Sequence, residues 1–422
     1  MPTVLPSLIS LEIVGLEKPA QPERALAFAP DATNLGEMSP AGHLALPILI
    51  AGGGIGGLAV ALALQQRGLP AVVCERAPEL REVGAGLLLS PNAVRVLSLL
   101  GMADAAMAHS RLIREWRILD QQGRPLHRIC PARGERPPSL SLHRAGLQSL
   151  LLERLDATRL KLGFEVVGFA ESARSVTVTA RSGETLEGAA LIGADGLRSG
   201  VRRTVAGADH LRDCGYSGWR SVVPFIPDGY EGNGLSESWG EGKRFGISPL
   251  GDGRCYWYAT ANHPAGCKPN GGRKEELLAM FGHWHEPIPS LIAATPSETI
   301  LLNPILDRPS QMGIKGASRV TLLGDAAHPM TPNLGQGACV ALEDAWILAR
   351  EIAAADEIVR GLRRYETARR TRAAWISRAS HALGRIIQLE HPAATAVRDF
   401  SLRLTPGGLS ELTMRPLFSF QG

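Results

Sequence analysis

An apolar run from Leu46 to Ile50 leads through Ala51 into Gly52, Gly54 and Gly57, three glycines in GxGxxG spacing. The run reads as a buried parallel strand. The first glycine permits a tight turn, the second lets backbone approach a pyrophosphate, and the third lets the next helix pack closely on the strand. Ile55 and Gly56 open that helix, which runs on alanine and leucine to about Gln66 and stops at Gly68. Its free N–H groups and dipole favour an anion. Pro70–Glu75 reads as the next strand, and Glu75 stands 23 residues after Gly52, where a carboxylate accepts hydrogen bonds from a ribose. A strand–turn–helix–strand unit with an acid at its end commits the chain to a Rossmann-like α/β fold.

Two later segments extend the pattern. A strand over 185–192 leads into Gly193-Ala-Asp195-Gly-Leu-Arg198-Ser199, and a buried-strand pattern at 319–323 leads into Gly324-Asp325-Ala-Ala-His328-Pro329 and on to Gly337. Acids that close parallel strands sit where α/β sheets bind ligands. Between about 211 and 313 the pattern changes to strand-like segments carrying Trp219, Trp239, Tyr256, Trp257 and Tyr258, interrupted by a helix near 274–283. The expected division is a flexible extension at 1–45, a discontinuous nucleotide-binding unit at 46–210 and 314–360, an inserted sheet-rich substrate unit at 211–313, and a C-terminal helical region and tail at 361–422.

Composition mainly excludes. A formal charge of +4 spread over 422 residues, with no long basic block, gives no reason to expect nucleic acid. No stretch is apolar for long enough to span a bilayer, and the N-terminus lacks the plan of a secretory signal. Six cysteines without a CxxC pair imply reduced thiols in the cytoplasm and no metal site. A Gly-x-Ser-x-Gly nucleophile elbow is absent.

These segments together resemble the single-component FAD-dependent aromatic hydroxylases, the para-hydroxybenzoate hydroxylase superfamily, and most of all its salicylate, 3-hydroxybenzoate and 6-hydroxynicotinate hydroxylase branch. The resemblance runs from about Pro47 to Gln388. It implies FAD as cofactor, with Gly52, Gly54, Ile55, Gly56, Gly57, Glu75 and Arg76 at the ADP half. It places Arg144, which opens a helix in Leu142-His-Arg-Ala-Gly-Leu147, on the flavin side. Asp195 would serve the pyrophosphate region, and Asp325 the ribityl and pyrophosphate part. Pro329 would lie near the reactive carbon of the flavin, with Gly335, Gly337 and Ala338 at its pyrimidine end. The implied reaction is hydroxylation of a small phenolic or heteroaromatic ring by molecular oxygen through a flavin C4a-hydroperoxide, with NADH or NADPH as a transient electron donor.

For substrate contact the sequence offers Gly215-Tyr-Ser-Gly-Trp-Arg-Ser221. Tyr216 could steer a ring through a hydrogen bond, and Arg220 could bind a carboxylate or phenolate; ordinary sheet packing is the competing account of both. Phe245, Trp257 and Tyr258 are further aromatic candidates for the same cavity, with ordinary sheet packing the preferred account of any one of them. Two other functions stay open at this point, epoxidation of an alkene and flavin binding without turnover. The nicotinamide preference and self-association are also left open.

Overall fold

The computed structural model describes residues 44–80, 85–130, 137–207, 210–232, 234–262, 273–308, 319–420 and 422. Positions 1–43 of the expected extension, the loop residues 81–84 and 131–136, and Cys267 lie outside the described residues.

Five parallel strands form the first sheet, in the order Val320–Leu322, Ala190–Gly193, Ile48–Ala51, Ala71–Cys74, Leu160–Lys161. The glycine turn follows the middle strand, and Asp195 and Asp325 follow its neighbours on one side. Three candidate segments far apart in sequence thus meet at the same edge of the sheet. Helix Ile55–Gln65 is buried on almost every face because it lies between this sheet and helix Gly337–Ala353, which explains a composition with almost no polar side. Together with Leu89, Val96, Leu142 and Leu151 these elements form the largest apolar core.

The second sheet has seven strands, in the order Leu301–Asp307, Arg212–Val223, Cys255–Asn262, Lys243–Pro249, Gly234–Trp239, Glu115–Asp120, Pro125–Ile129. Side chains alternate between its faces. Phe245 and Trp257 pack on one face against Phe281 from helix Arg273–Phe281, while Arg244, Tyr256 and Tyr258 turn the other way, into a cavity. The hairpin at 115–129 corrects the expected division. The sequence pattern places it in the nucleotide-binding unit, whereas Glu115–Asp120 pairs in parallel with Gly234–Trp239, from Glu115 beside Gly234 to Asp120 beside Trp239. Pairing at that separation leaves no local mark in either strand.

The charged helix expected at 361–388 is a 30-residue helix, Ile358–Ile387. Two more helices, Pro392–Leu404 and Gly407–Phe418, follow it and return to the hairpin at 115–129. Among the described residues no helix is long and apolar enough to cross a membrane.

Candidate active site

The glycine turn is built for close approach. Gly52 has φ +109°, and a Cβ there would lie 2.5 Å from the Ala194 carbonyl oxygen; a Cβ on Gly57 would lie 1.9 Å from the Gly52 carbonyl oxygen. Both positions are closed to side chains by backbone. Gly54 differs, because the nearest atom to its Cβ position is Arg144 Nη2 at 4.0 Å. Gly54, Ile55 and Gly56 instead face a cavity of about 630 Å³. Glu75 braces the turn, its Oε2 accepting from Gly53 N at 2.6 Å and its Oε1 from Ala77 N at 2.9 Å. Gln148, which the sequence did not single out, donates from Nε2 to the Gly53 carbonyl at 2.8 Å. Arg76 is exposed and lies off the cavity wall.

Arg144 begins helix Arg144–Arg154 and reaches the same cavity, as does Arg220 from the seven-stranded sheet. Burial lowers the pKa of Arg144, and the nearby Arg220 lowers it further, against a weaker pull from Asp325 and Glu75. Among the described residues neither arginine has a carboxylate in an ion pair, and Arg220 Nε has no hydrogen-bond partner. Two guanidinium groups held close together in this way call for an anion.

Asp325 is exposed to the open cavity, with protein packed around the cavity walls. That enclosure raises its carboxyl pKa, opposed by His328, Arg144 and Arg308. Its turn is fixed from below: Asp344 Oδ2 accepts from Gly324 N at 3.1 Å and lies 2.5 Å from His328 Nε2. Gly335, Gly337 and Ala338 are on the cavity wall. Asp195 spends one oxygen on the start of helix Gly200–Ala206, accepting from Gly200 N at 2.7 Å and Val201 N at 3.2 Å, while its Oδ1 is buried without a partner among the described residues.

Two expected contacts fall elsewhere. Tyr216 is 3% exposed and absent from the cavity wall; its hydroxyl accepts from Asn333 Nδ2 at 3.0 Å. It sits on the strand position whose side chain turns to the segment after Thr331, so it supports Asn333, which does line the cavity. Pro329 is buried off the wall, and Pro332 takes the cavity-facing place three residues later.

Sequence reasoning missed the polar group on the sheet. Arg244 is 1% exposed, with Nη1 3.5 Å from Glu237 Oε1 and Nη2 donating to Asn333 Oδ1 at 3.1 Å. Tyr258 donates its hydroxyl to Glu237 Oε1, and Trp239 Nε1 donates to Glu237 Oε2 at 2.8 Å. The available signal was a pair of opposite charges flanking a hairpin turn, at positions that alternate with aromatic residues.

The structure also gathers Cys214, Asp307 and His381, which no sequence spacing suggested. Arg212 already supplies a positive charge there, with Nη2 2.7 Å from Asp307 Oδ2 and 3.0 Å from His381 Nδ1. Burial and Asp307 push the Cys214 thiol up to about 12. This group is read as an ion-paired support between the sheet and the long helix.

The cavity residues fit a dinucleotide. Open backbone at Gly54 facing the cavity, two guanidiniums without an ion-pair partner among the described residues, and a carboxyl exposed to the cavity suit a pyrophosphate flanked by hydroxyl-bearing chains. The profile of the family described as FAD binding domain matches residues 45–380. The chain belongs to this FAD-binding family. It is 40% identical over 363 residues to the aurachin C monooxygenase/isomerase of Stigmatella aurantiaca, covering 85% of this chain and 94% of that one. It is 33% identical over 394 residues to the 2-heptyl-3-hydroxy-4(1H)-quinolone synthase of Pseudomonas aeruginosa, covering 89% and 99%. The crystal structure of Klebsiella pneumoniae HpxO complexed with FAD and uric acid superposes with a TM-score of 0.80 at 29% identity, covering 88% and 97%. Like the relatives it matches along its length, this member of the family is a flavoprotein monooxygenase.

Gly54 gives a direct test of the cradle. Gly54→Trp is expected to fold, because its Cβ position is open, and to lose FAD, because the indole fills the cavity mouth. Circular dichroism and the flavin released on denaturation read the two effects separately. A yellow Gly54→Trp protein with wild-type FAD affinity would move the cofactor elsewhere.

Proposed function

We propose that this monooxygenase hydroxylates a planar, electron-rich heteroaromatic ring and draws its electrons from NADH or NADPH. The observation that carries the reading is the continuity of one cavity from the glycine turn and Asp325 to the aromatic face of the second sheet. When bound, FAD supplies electron transfer and oxygen activation. Gly54–Gly56, Arg144 and Asp325 would hold it, and Pro332 with Gly335, Gly337 and Ala338 would border its ring end. The relatives named for an aurachin and a quinolone, and the neighbour crystallised with uric acid, support a heteroaromatic substrate. The five described cysteines are free, which suits a reducing, cytoplasmic setting.

The chain's own residues have three tasks. Tyr256 and Tyr258 offer ring faces against which a planar substrate can lie. Arg220, with an unpaired Nε, offers a planar donor fork to an oxygen on the ring. Glu237 can accept a proton from a ring O–H or N–H, making the ring more electron-rich. Burial, and then the Glu237 charge, raise the Tyr258 pKa well above its usual value, so this hydroxyl stays protonated and orients the carboxylate. Helices at the C-terminus cover the cavity and limit water.

The test uses FAD-loaded protein, NADH or NADPH, and 4(1H)-quinolone, urate and salicylate as rings, with labelled oxygen traced into product. Labelled hydroxylated product from at least one ring is expected. Coenzyme oxidation that yields only peroxide with every ring would overturn the reading. Arg220→Lys keeps the charge but loses the fork, and is expected to weaken binding of the accepted ring by about 1.5–3 kcal/mol, about tenfold or more. Unchanged affinity would remove Arg220 from substrate recognition.

A further inference from the structure

The cavity has a second character that the ring chemistry does not use. Its end at the glycine turn carries Arg144, Arg220 and Asp325. Its other end is closed by Ile118 and Trp239 from the seven-stranded sheet, Leu383 and Ile387 from the long helix, and Leu402 and Met414 from the last two helices. The C-terminal helices contribute no charged side chain to the wall among the described residues.

Two polar side chains that reach this end are satisfied within the protein, while the Trp116 indole N–H, also on the wall, is buried without a hydrogen-bond partner among the described residues. Trp239 Nε1 is committed to Glu237, and His127 Nε2 lies 2.7 Å from Ser410 Oγ. Burial lowers the His127 pKa against the opposing pull of the Leu402 backbone, and this favours the neutral imidazole. The phosphates and hydroxyls of a dinucleotide would find few free partners here. A polar ring substituent would lose its hydration with little in return, whereas a hydrocarbon chain would exchange water for apolar contact on three sides.

We infer that the substrate ring carries a hydrocarbon chain, and that the chain lies between the seven-stranded sheet and the three C-terminal helices. This inference rests on the heteroaromatic monooxygenase reading above. Leu383 and Met414, both half-buried on the wall, act as residues that set chain length. The last two helices thereby acquire a function: they build one side of a chain-binding chamber.

The experiment titrates FAD-loaded protein with 4(1H)-quinolones bearing a methyl, propyl, pentyl, heptyl or nonyl group at position two. Binding is read from the perturbed flavin absorbance and product is measured separately. Affinity is expected to rise about fourfold for each added methylene until the chamber is full, then level off or fall. Leu383→Trp is expected to collapse the heptyl-to-methyl affinity ratio, and Met414→Ala to shift the preferred chain upward. FAD retention confirms that each variant is folded, and either variant alone suffices for the test.

Equal affinity across the series in the wild-type protein would overturn the chamber, even if all members are hydroxylated. A rising series whose ratio neither variant changes would place the chain elsewhere and also overturn it. Affinity that climbs with chain length without hydroxylated product would support the chamber and count against the reaction proposed for this ring. No binding by any member would overturn the inference as stated.

Discussion

Gly57→Val is expected to unfold the nucleotide-binding sheet at temperatures where the native protein is stable. The Cβ would enter to 1.9 Å from the Gly52 carbonyl oxygen, and the next nearest atom, at 3.1 Å, is the carbon of the same carbonyl. No flexible side chain can yield there. Relief requires the start of helix Ile55–Gln65 to move away from the strand Ile48–Ala51, yet that helix is packed between the sheet and helix Gly337–Ala353. Overpacking a close contact costs about 1–3 kcal/mol where some adjustment is available, and a backbone collision in the middle of the largest core belongs at or above the top of that range. Urea unfolding of apo protein gives the loss directly, and FAD content follows it. Gly54→Trp should show the opposite combination, a stable fold without cofactor. A Gly57→Val protein with native stability and bound FAD would show that the turn is not held as described.

The contrast between these two glycines shows what the sequence could and could not convey. GxGxxG spacing names both, and the strand, helix and acid around them identify the fold unit, because a buried parallel strand and an all-apolar helix have strong local signatures. Which glycine faces backbone and which faces a ligand is a tertiary fact. Asp195 and Asp325 could be recognised for a similar reason, since each closes a buried strand. The substrate end was less legible. Tyr216 and Arg220 lie four residues apart on one strand, yet only Arg220 reaches the cavity; strand twist and the segment around Asn333 decide which residue is covered. Tyr258 was named beside Trp257, and the pleat sends them to opposite faces. Glu237 and Arg244 become informative only once Gly234–Trp239 and Lys243–Pro249 are paired. The parallel addition of Glu115–Asp120 to that sheet, and the return of the last two helices to cover it, depend on contacts across more than a hundred residues. No periodicity within either segment reports such contacts.

Arg369→Met is expected to destabilise the protein strongly from outside the cavity. Arg369 is 2% exposed and donates from Nη2 to Glu343 Oε2 and from Nε to Asp344 Oδ1, each at 2.7 Å. Both carboxylates are fully buried. Arg372 also serves Glu343, at 2.6 Å, but among the described residues Asp344 would keep only His328 and the Gly324 amide. Removing one member of a buried ionic group costs about 3–5 kcal/mol, because the remaining charge is left without compensation. The effect should reach the cofactor, since Asp344 fixes the turn that presents Asp325. The pH dependence supplies a second signature. Burial opposes ionisation of Asp344, but His328 and Arg369 outweigh it and pull its pKa down to about 2, below the value of about 3.9 for an unfolded aspartate. A depressed carboxyl stabilises the fold above the unfolded pKa and loses that contribution as pH falls through the folded one. The native protein should therefore lose stability between about pH 4 and pH 2. In Arg369→Met the Asp344 pKa should rise, so the gap between variant and native protein should be wide at neutral pH and narrow across that acid window. Urea midpoints measured at both ends of the window and at neutral pH test this. A gap that stays constant with pH would assign the loss to packing and remove the charge network from the account of how Asp325 is held.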